Sequence, residues 1–245
     1  MKTRKPSSQR ETALFLKALK EDGIEEIYLE TKAKAVKNKA PVSKAVSAKT
    51  QGAKKQILEF RETVLKCTQC HELAGSRKSV VFGSGNVKAQ LMFVGEAPGR
   101  DEDLQGLPFV GRAGQLLTKI IEAMNLSRNQ VFIANVLKCR PPENRPPKPD
   151  EVLNCEPFLL KQIELIKPRI LCALGTFAAQ ALLKTEQPIS ALRGKFVDFP
   201  GNPAIKVMCT YHPAYLLRSP GEKKKVWEDM KKIMKELQGD KRRET

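Results

Sequence analysis

Four short apolar runs punctuate the chain beyond residue 56: QLMFVG (90–95), VFIANVL (131–137), RILCALG (169–175) and KVMCTYH (206–212). Each ends in a turn residue or a polar group, as strands buried on both faces do. Helical spacing of apolar positions fills the gaps, over 113–124, 149–166, 176–183 and 223–237, with an earlier helical face in ILEFRETVLKC (57–67). Strands alternating with helices predict a parallel sheet covered on both sides. The fold class expected is α/β, a three-layer α/β/α sandwich around four parallel strands. Ligands bind beyond the carboxyl ends of such strands, which here present Gly95 to Pro98, Asn135, Gly175 and His212.

The pattern differs before residue 56. Residues 8–22 set Leu14, Phe15, Leu16 and Leu19 near one helical stripe, with Ser8 and Glu11 spaced as a capping box. A short IYLE segment follows. From 31 to 55 there are eight lysines, no acid and no apolar period, the composition of a basic disordered linker. The expected organisation is a helical segment over 1–30, a linker over 31–55 and a globular domain over 56–245. The linker serves either as a solvated tether or as an arm that holds DNA, and the extension is a candidate site for a replication or repair partner.

Charge narrows the class of partner. Forty-four Lys and Arg face 27 Asp and Glu, for a net charge of +17 and a pI near 9.7, which points to a polyanion and most economically to nucleic acid. No apolar run approaches the roughly 18–20 residues that span a bilayer, so no membrane association is expected. The basic start MKTRKPSSQR lacks the apolar core of a secretory signal. A cytoplasmic monomer is the expectation, and its six cysteines are then free thiols or metal ligands.

Those cysteines divide into two groups. Cys172 and Cys209 lie inside apolar runs and read as core residues. Cys67 and Cys70 form a C-x2-C pair, while Cys139 and Cys155 flank a fifteen-residue loop. Four thiolates hold either a zinc ion or an iron–sulfur cluster; with one C-x2-C knuckle instead of two, the spacing favours the cluster modestly. His71 reads as exposed. His212, one of only two histidines, stands at a strand exit just before Pro213, facing the other polar strand ends.

Residues 95–111, GEAPGRDEDLQGLPFVG, open a glycine-rich turn after an apolar run. A phosphate cradle would carry Lys and Ser or Thr here; this one carries four acids. Taken with GLPFVGRAGQLL (106–117), IANVLKCRPP (133–142), YHPAYLLR (211–218) and the four spaced cysteines, the segment resembles the family 4 uracil-DNA glycosylases, the iron–sulfur branch of their superfamily. The likeness runs from about 66 to 237.

That resemblance implies a DNA repair enzyme that flips uracil out of DNA and hydrolyses its N-glycosidic bond. It implies a [4Fe–4S] cluster on Cys67, Cys70, Cys139 and Cys155. Asn135 would read the uracil edge and Phe109 would stack on the ring. His212 would donate to uracil O2 as negative charge develops there. Glu96 would act near the sugar or position the water. Ala97 stands where the best-known relatives carry an aspartate base, so Ala97 and Pro98 would contribute backbone alone. Glu102 would line the pocket where the thymine methyl would fit, with Asp101 and Asp103 as solvated or capping residues. Arg112, Arg140 and Arg145 would hold phosphates, Arg145 being equally a salt-bridge partner, and Leu216 would wedge into the vacated stack, with a leucine covering the core as the competing reading.

Two other classes fit the charge and the cysteines: a non-catalytic DNA-binding protein with a structural metal centre, and an electron-transfer protein. Neither requires Glu96, Phe109, Asn135 and His212 at strand ends. The absence of histidine between Cys139 and Cys155 argues against imidazole-based covalent capture of the abasic sugar.

Overall fold

A computed structural model describes residues 44–239; the expected helix over 8–22 and the start of the linker lie outside them. Six strands occur: β1 (Ser84–Gly85), β2 (Leu91–Gly95), β3 (Phe132–Asn135), β4 (Ile170–Leu174), β5 (Phe196–Phe199) and β6 (Asn202–Thr210). The first five helices are α1 (Lys44–Leu65), α2 (His71–Ser76), α3 (Arg100–Gln105), α4 (Arg112–Ala123) and α5 (Pro149–Ile166). Then come α6 (Thr176–Leu183), α7 (Ile189–Leu192), α8 (Pro213–Arg218) and α9 (Lys223–Gly239).

The sheet order is β1-β3-β2-β4-β6-β5. Its four central strands are parallel, as the apolar runs predict. Antiparallel β1 and β5 extend the two edges, beyond what hydrophobic pattern announces. Every residue of β2 is buried, Leu91 and Phe93 facing one core and Met92 and Val94 the other. Burying side chains of this size contributes about 1.5–3 kcal/mol each.

Helices complete the layers. Leu117 and Ile121 of α4 and Val226, Met230 and Ile233 of α9 pack on the Phe93 face. Ile57 and Val64 of α1, Leu159 and Ile163 of α5, and Leu182 of α6 pack on the Met92 face. Cys172 and Cys209 are buried in opposite cores. Helix α1 begins at Lys44, within the stretch 31–55 whose composition is that of a linker. Ile57 and Val64 of this helix enter the core, while the lysine-rich sequence over 44–55 offers no apolar period to detect. Among the described residues no helix is long and apolar enough to cross a membrane.

Strand order positions the site. From β2 the chain crosses to β3 on one side, then to β4 on the other. Such a reversal opens a crevice at the carboxyl ends.

Candidate active site

An open cleft of about 610 Å³ lies beyond the ends of β2, β3 and β6, and Glu96, Phe109, Asn135 and His212 all line it. Gly95 stands opposite Asn135 in register. Pairing continues past the strands, with Val136 N–H donating to Gly95 O at 2.9 Å and Leu137 N–H to Glu96 O at 3.0 Å. Glu96 is therefore fixed beside Asn135 by the main chain. Asn135 is 2% exposed, and its Oδ1 has no hydrogen-bond partner. An unpaired buried acceptor costs about 1–3 kcal/mol, a cost that a donor entering the cleft would relieve. A Cβ on Gly95 would lie 2.4 Å from that oxygen and 2.5 Å from Phe109 Cζ. Only glycine lets amide and ring edge meet there.

Phe109 is buried, with φ at 54°, left-handed backbone that a bulky residue seldom adopts. Its ring centroid is 5.6 Å from that of His212, at 35°. Glu102 lines the cleft, but its carboxylate is committed to the loop. Oε1 accepts from Val110 N at 2.9 Å and Gly111 N at 3.0 Å, and Oε2 accepts from Gly99 N at 3.1 Å. Ala97 and Pro98 also face the cleft. Burial raises the Glu96 carboxyl above the usual carboxylate range. Asp101 is exposed as expected. Asp103 is not: it is 2% exposed and accepts from Lys78 N at 2.8 Å and Ser79 N at 3.1 Å. It ties α3 to the irregular segment leading into β1.

His212 caps α8, its Nδ1 accepting from Ala214 N at 3.1 Å. That bond requires an unprotonated Nδ1 and leaves Nε2 as the donor nitrogen. Burial, with the Arg218 charge reinforcing it against Glu102, pushes the imidazole down to about 4. The side chain is thus a neutral donor at pH 7. Leu216 is 1% exposed and packs in the core with Phe109 and Leu117, the reading that competes with a wedge. A helix turns successive residues to different faces, and Leu217, at 39%, is the exposed leucine of α8.

A family model for the Uracil DNA glycosylase superfamily matches residues 82–231. The chain belongs to that superfamily. A type-4 uracil-DNA glycosylase of Saccharolobus solfataricus is 46% identical over 182 residues, covering 72% of this chain and 84% of the relative. Type-4 enzymes of Archaeoglobus fulgidus (44%, covering 69% and 87%) and Thermotoga maritima (45%, covering 68% and 86%) are similar. These place the chain in the type-4 family.

The four cysteines of this type-4 family member influence one another. Burial raises the thiols of Cys70, Cys139 and Cys155, the last to about 12, and neighbouring cysteines of the set raise each further. Among the described residues no three Cys, His, Asp or Glu gather closely enough to hold a single ion. Arg77 braces the set, donating to Cys139 Sγ at 3.1 Å and Cys67 O at 2.6 Å. Asn154 Nδ2 contacts Cys70 Sγ at 3.6 Å.

The arginines expected to hold phosphates differ. Arg112 is exposed at the start of α4. Arg140 is half-buried and bonds Asn144 Oδ1 at 2.9 Å. Arg145 is a salt-bridge residue, gripping Glu151 at 2.5 and 3.0 Å and Glu72 at 3.1 Å, although it also borders the cleft.

Sequence reasoning missed two cations that bond the framework of the site, Lys138, which is buried, and Arg128, which is half-buried. Lys138, at 1% exposure, donates to Asn135 O and Gln162 Oε1, both at 2.7 Å, and its main-chain N–H bonds Cys155. A lysine inside the run VLKC was the available signal. Arg128 carries no local signal, since its role arises from contacts distant in sequence.

Proposed function

We propose that this chain excises uracil from DNA, hydrolysing the C1′–N1 bond to release free uracil and leave an abasic site. The observation that carries the reading is the buried, unpartnered Asn135 Oδ1 facing a cleft beside Phe109 and His212. Uracil presents an N3–H donor and an O4 acceptor; Asn135 answers with Oδ1 and Nδ2. Cytosine reverses both groups, so a fixed amide rejects it. Phe109 stacks on the extruded ring, which must leave the duplex before the bond can be reached.

As C1′–N1 breaks, its electron pair moves onto the base and positive charge grows on the sugar. His212 Nε2–H donates to O2 of the departing uracil. Glu96 offsets the sugar charge electrostatically and orients the water whose oxygen bonds C1′; the proton that this water sheds passes to solvent and balances the one that the uracil anion takes up on release. Ala97 offers no base, so the water is held by Glu96 and by backbone groups around Pro98.

We assign Cys67, Cys70, Cys139 and Cys155 as ligands of a [4Fe–4S] cluster. When bound, it supplies a covalent brace between the segment entering α2, the exit of β3 and α5. Arg112, Arg140 and the exposed face of α8 are the DNA contacts, with the basic chain before residue 44 adding non-specific attraction.

Purified protein on a uracil-containing oligonucleotide, followed by alkaline scission, tests this. Cleavage dependent on uracil is expected, falling at least about a hundredfold in Asn135→Ala and His212→Ala. Full activity in either variant would overturn the site.

A further inference from the structure

We infer that Arg128 is a positioning residue for uracil excision, clamping Phe109 in its left-handed conformation from the side opposite Glu102. The inference rests on the reading of Phe109 as the stacking wall. Arg128 opens the short turn Arg128–Gln130 before β3. Its guanidinium reaches back to Pro108 O at 2.8 Å, Phe109 O at 3.2 Å and Thr118 Oγ1 at 3.2 Å. Glu102 meanwhile takes the N–H groups of Val110 and Gly111. Donors on one side and acceptors on the other thus hold every peptide group from Pro108 to Gly111. The Glu102 charge faces Arg128 and favours its ionised form, against burial that disfavours it.

The strain explains the clamp. Phe109 at φ 54° has no turn-forming side chain to support that geometry. Close packing adds to the constraint, since a Cβ on Gly114 would fall 1.9 Å from Phe109 O and 2.0 Å from its carbonyl carbon. The loop therefore sits directly on α4, and Thr118, four residues beyond Gly114, bonds both Gly114 O and Arg128. Arg128 hydrogen-bonds the wall of the cleft through the Pro108 and Phe109 carbonyls. A planar fork with several donors can bridge two adjacent carbonyls and a hydroxyl, which a single ammonium cannot. With Arg128 removed, Phe109 can relax toward ordinary φ values, and its ring leaves the position against Asn135 and His212.

A double-mutant cycle tests this, using single-turnover excision and DNA affinity on the full chain. Arg128→Gln is expected to slow excision by about thirtyfold with DNA affinity within about threefold, the pattern of misplacement rather than lost binding. Arg128→Lys should recover only part of the rate. In a Phe109→Ala background, Arg128→Gln should cost less than about twofold more, because both changes remove one effect. Losses that multiply in the double variant would overturn the clamp while leaving Phe109 as the wall. Normal excision by Phe109→Ala would instead overturn the stacking reading, and the clamp with it. Should Arg128→Gln fail to fold, Arg128→Lys and Thr118→Val carry the same cycle.

Discussion

The Ala214 main-chain N–H donates to His212 Nδ1 at 3.1 Å, and this one bond fixes which imidazole nitrogen faces the cleft. The ring is pushed down to about 4 from an ordinary 6.5, by burial first and then by Arg218. A folded-state value below the unfolded one gives stability that is complete above pH 6.5 and lost as pH falls toward 4. The whole shift corresponds to roughly 3 kcal/mol. Urea melts at pH 7 and pH 5 should therefore show wild type losing about 2 kcal/mol more than His212→Gln. Equal losses would mean that the imidazole is not held neutral.

Glu96 has the opposite shift, burial raising its carboxyl. If its anion offsets charge on the sugar, excision should decline on the acid side of neutrality, at higher pH than an ordinary carboxylate would cause. Single-turnover rates of Glu96→Gln should be lower at pH 7, by about ten- to a hundredfold, and flat where wild type declines. A limb that survives in Glu96→Gln would assign it to another group.

Gly95 carries no chemistry, yet its substitution should be severe. A methyl group there would sit 2.4 Å from Asn135 Oδ1 and 2.5 Å from Phe109 Cζ. Gly95→Ala should cost about 1–3 kcal/mol of stability through overcrowding. It should also reduce excision at least about a hundredfold by displacing amide and ring together. A chain that melts like wild type and excises normally would show that the two side chains have room to part.

If Cys67, Cys70, Cys139 and Cys155 hold the proposed cluster, its removal should be visible both optically and in stability. Cys155 is buried, with its thiol pushed up to about 12, so thiolate forms there readily only when metal claims it. Cys155→Ala should lose bound iron and sulfide and the associated visible absorption, and melt at lower temperature. Wild-type melting in an iron-free Cys155→Ala protein would remove the brace from the account.

The parallel centre of the sheet was legible because Leu91 to Val94 and their counterparts in β3, β4 and β6 are buried on both faces, which demands unbroken apolar runs. The edges were not. β1 is two residues long, and β5 offers only FVDF with one buried position. Glu96, Phe109, Asn135 and His212 were found together because strand ends and motif order bring them to one crevice. Asp103 and Arg128 escaped because their partners are Lys78, Ser79, Pro108 and Phe109, contacts that tertiary structure alone creates. Arg145 pairs with Glu151 at 2.5 Å and also borders the cleft, a tertiary contact that the sequence pattern does not announce.

Leu216 and Leu217 differ by one position and should differ in kind. Leu216 is buried against Phe109 and Leu117, whereas Leu217 is exposed on α8. Leu216→Ala should leave a cavity and cost about 2–5 kcal/mol. Leu217→Ala should leave stability within about 0.5 kcal/mol. If Leu217 fills the space left by an extruded nucleotide, its loss should slow excision from duplex DNA more than from single strands, where no stack needs filling. Equal slowing on both substrates would reduce Leu217 to a general contact and shift the wedge to Tyr215, the other exposed apolar side chain of the helix.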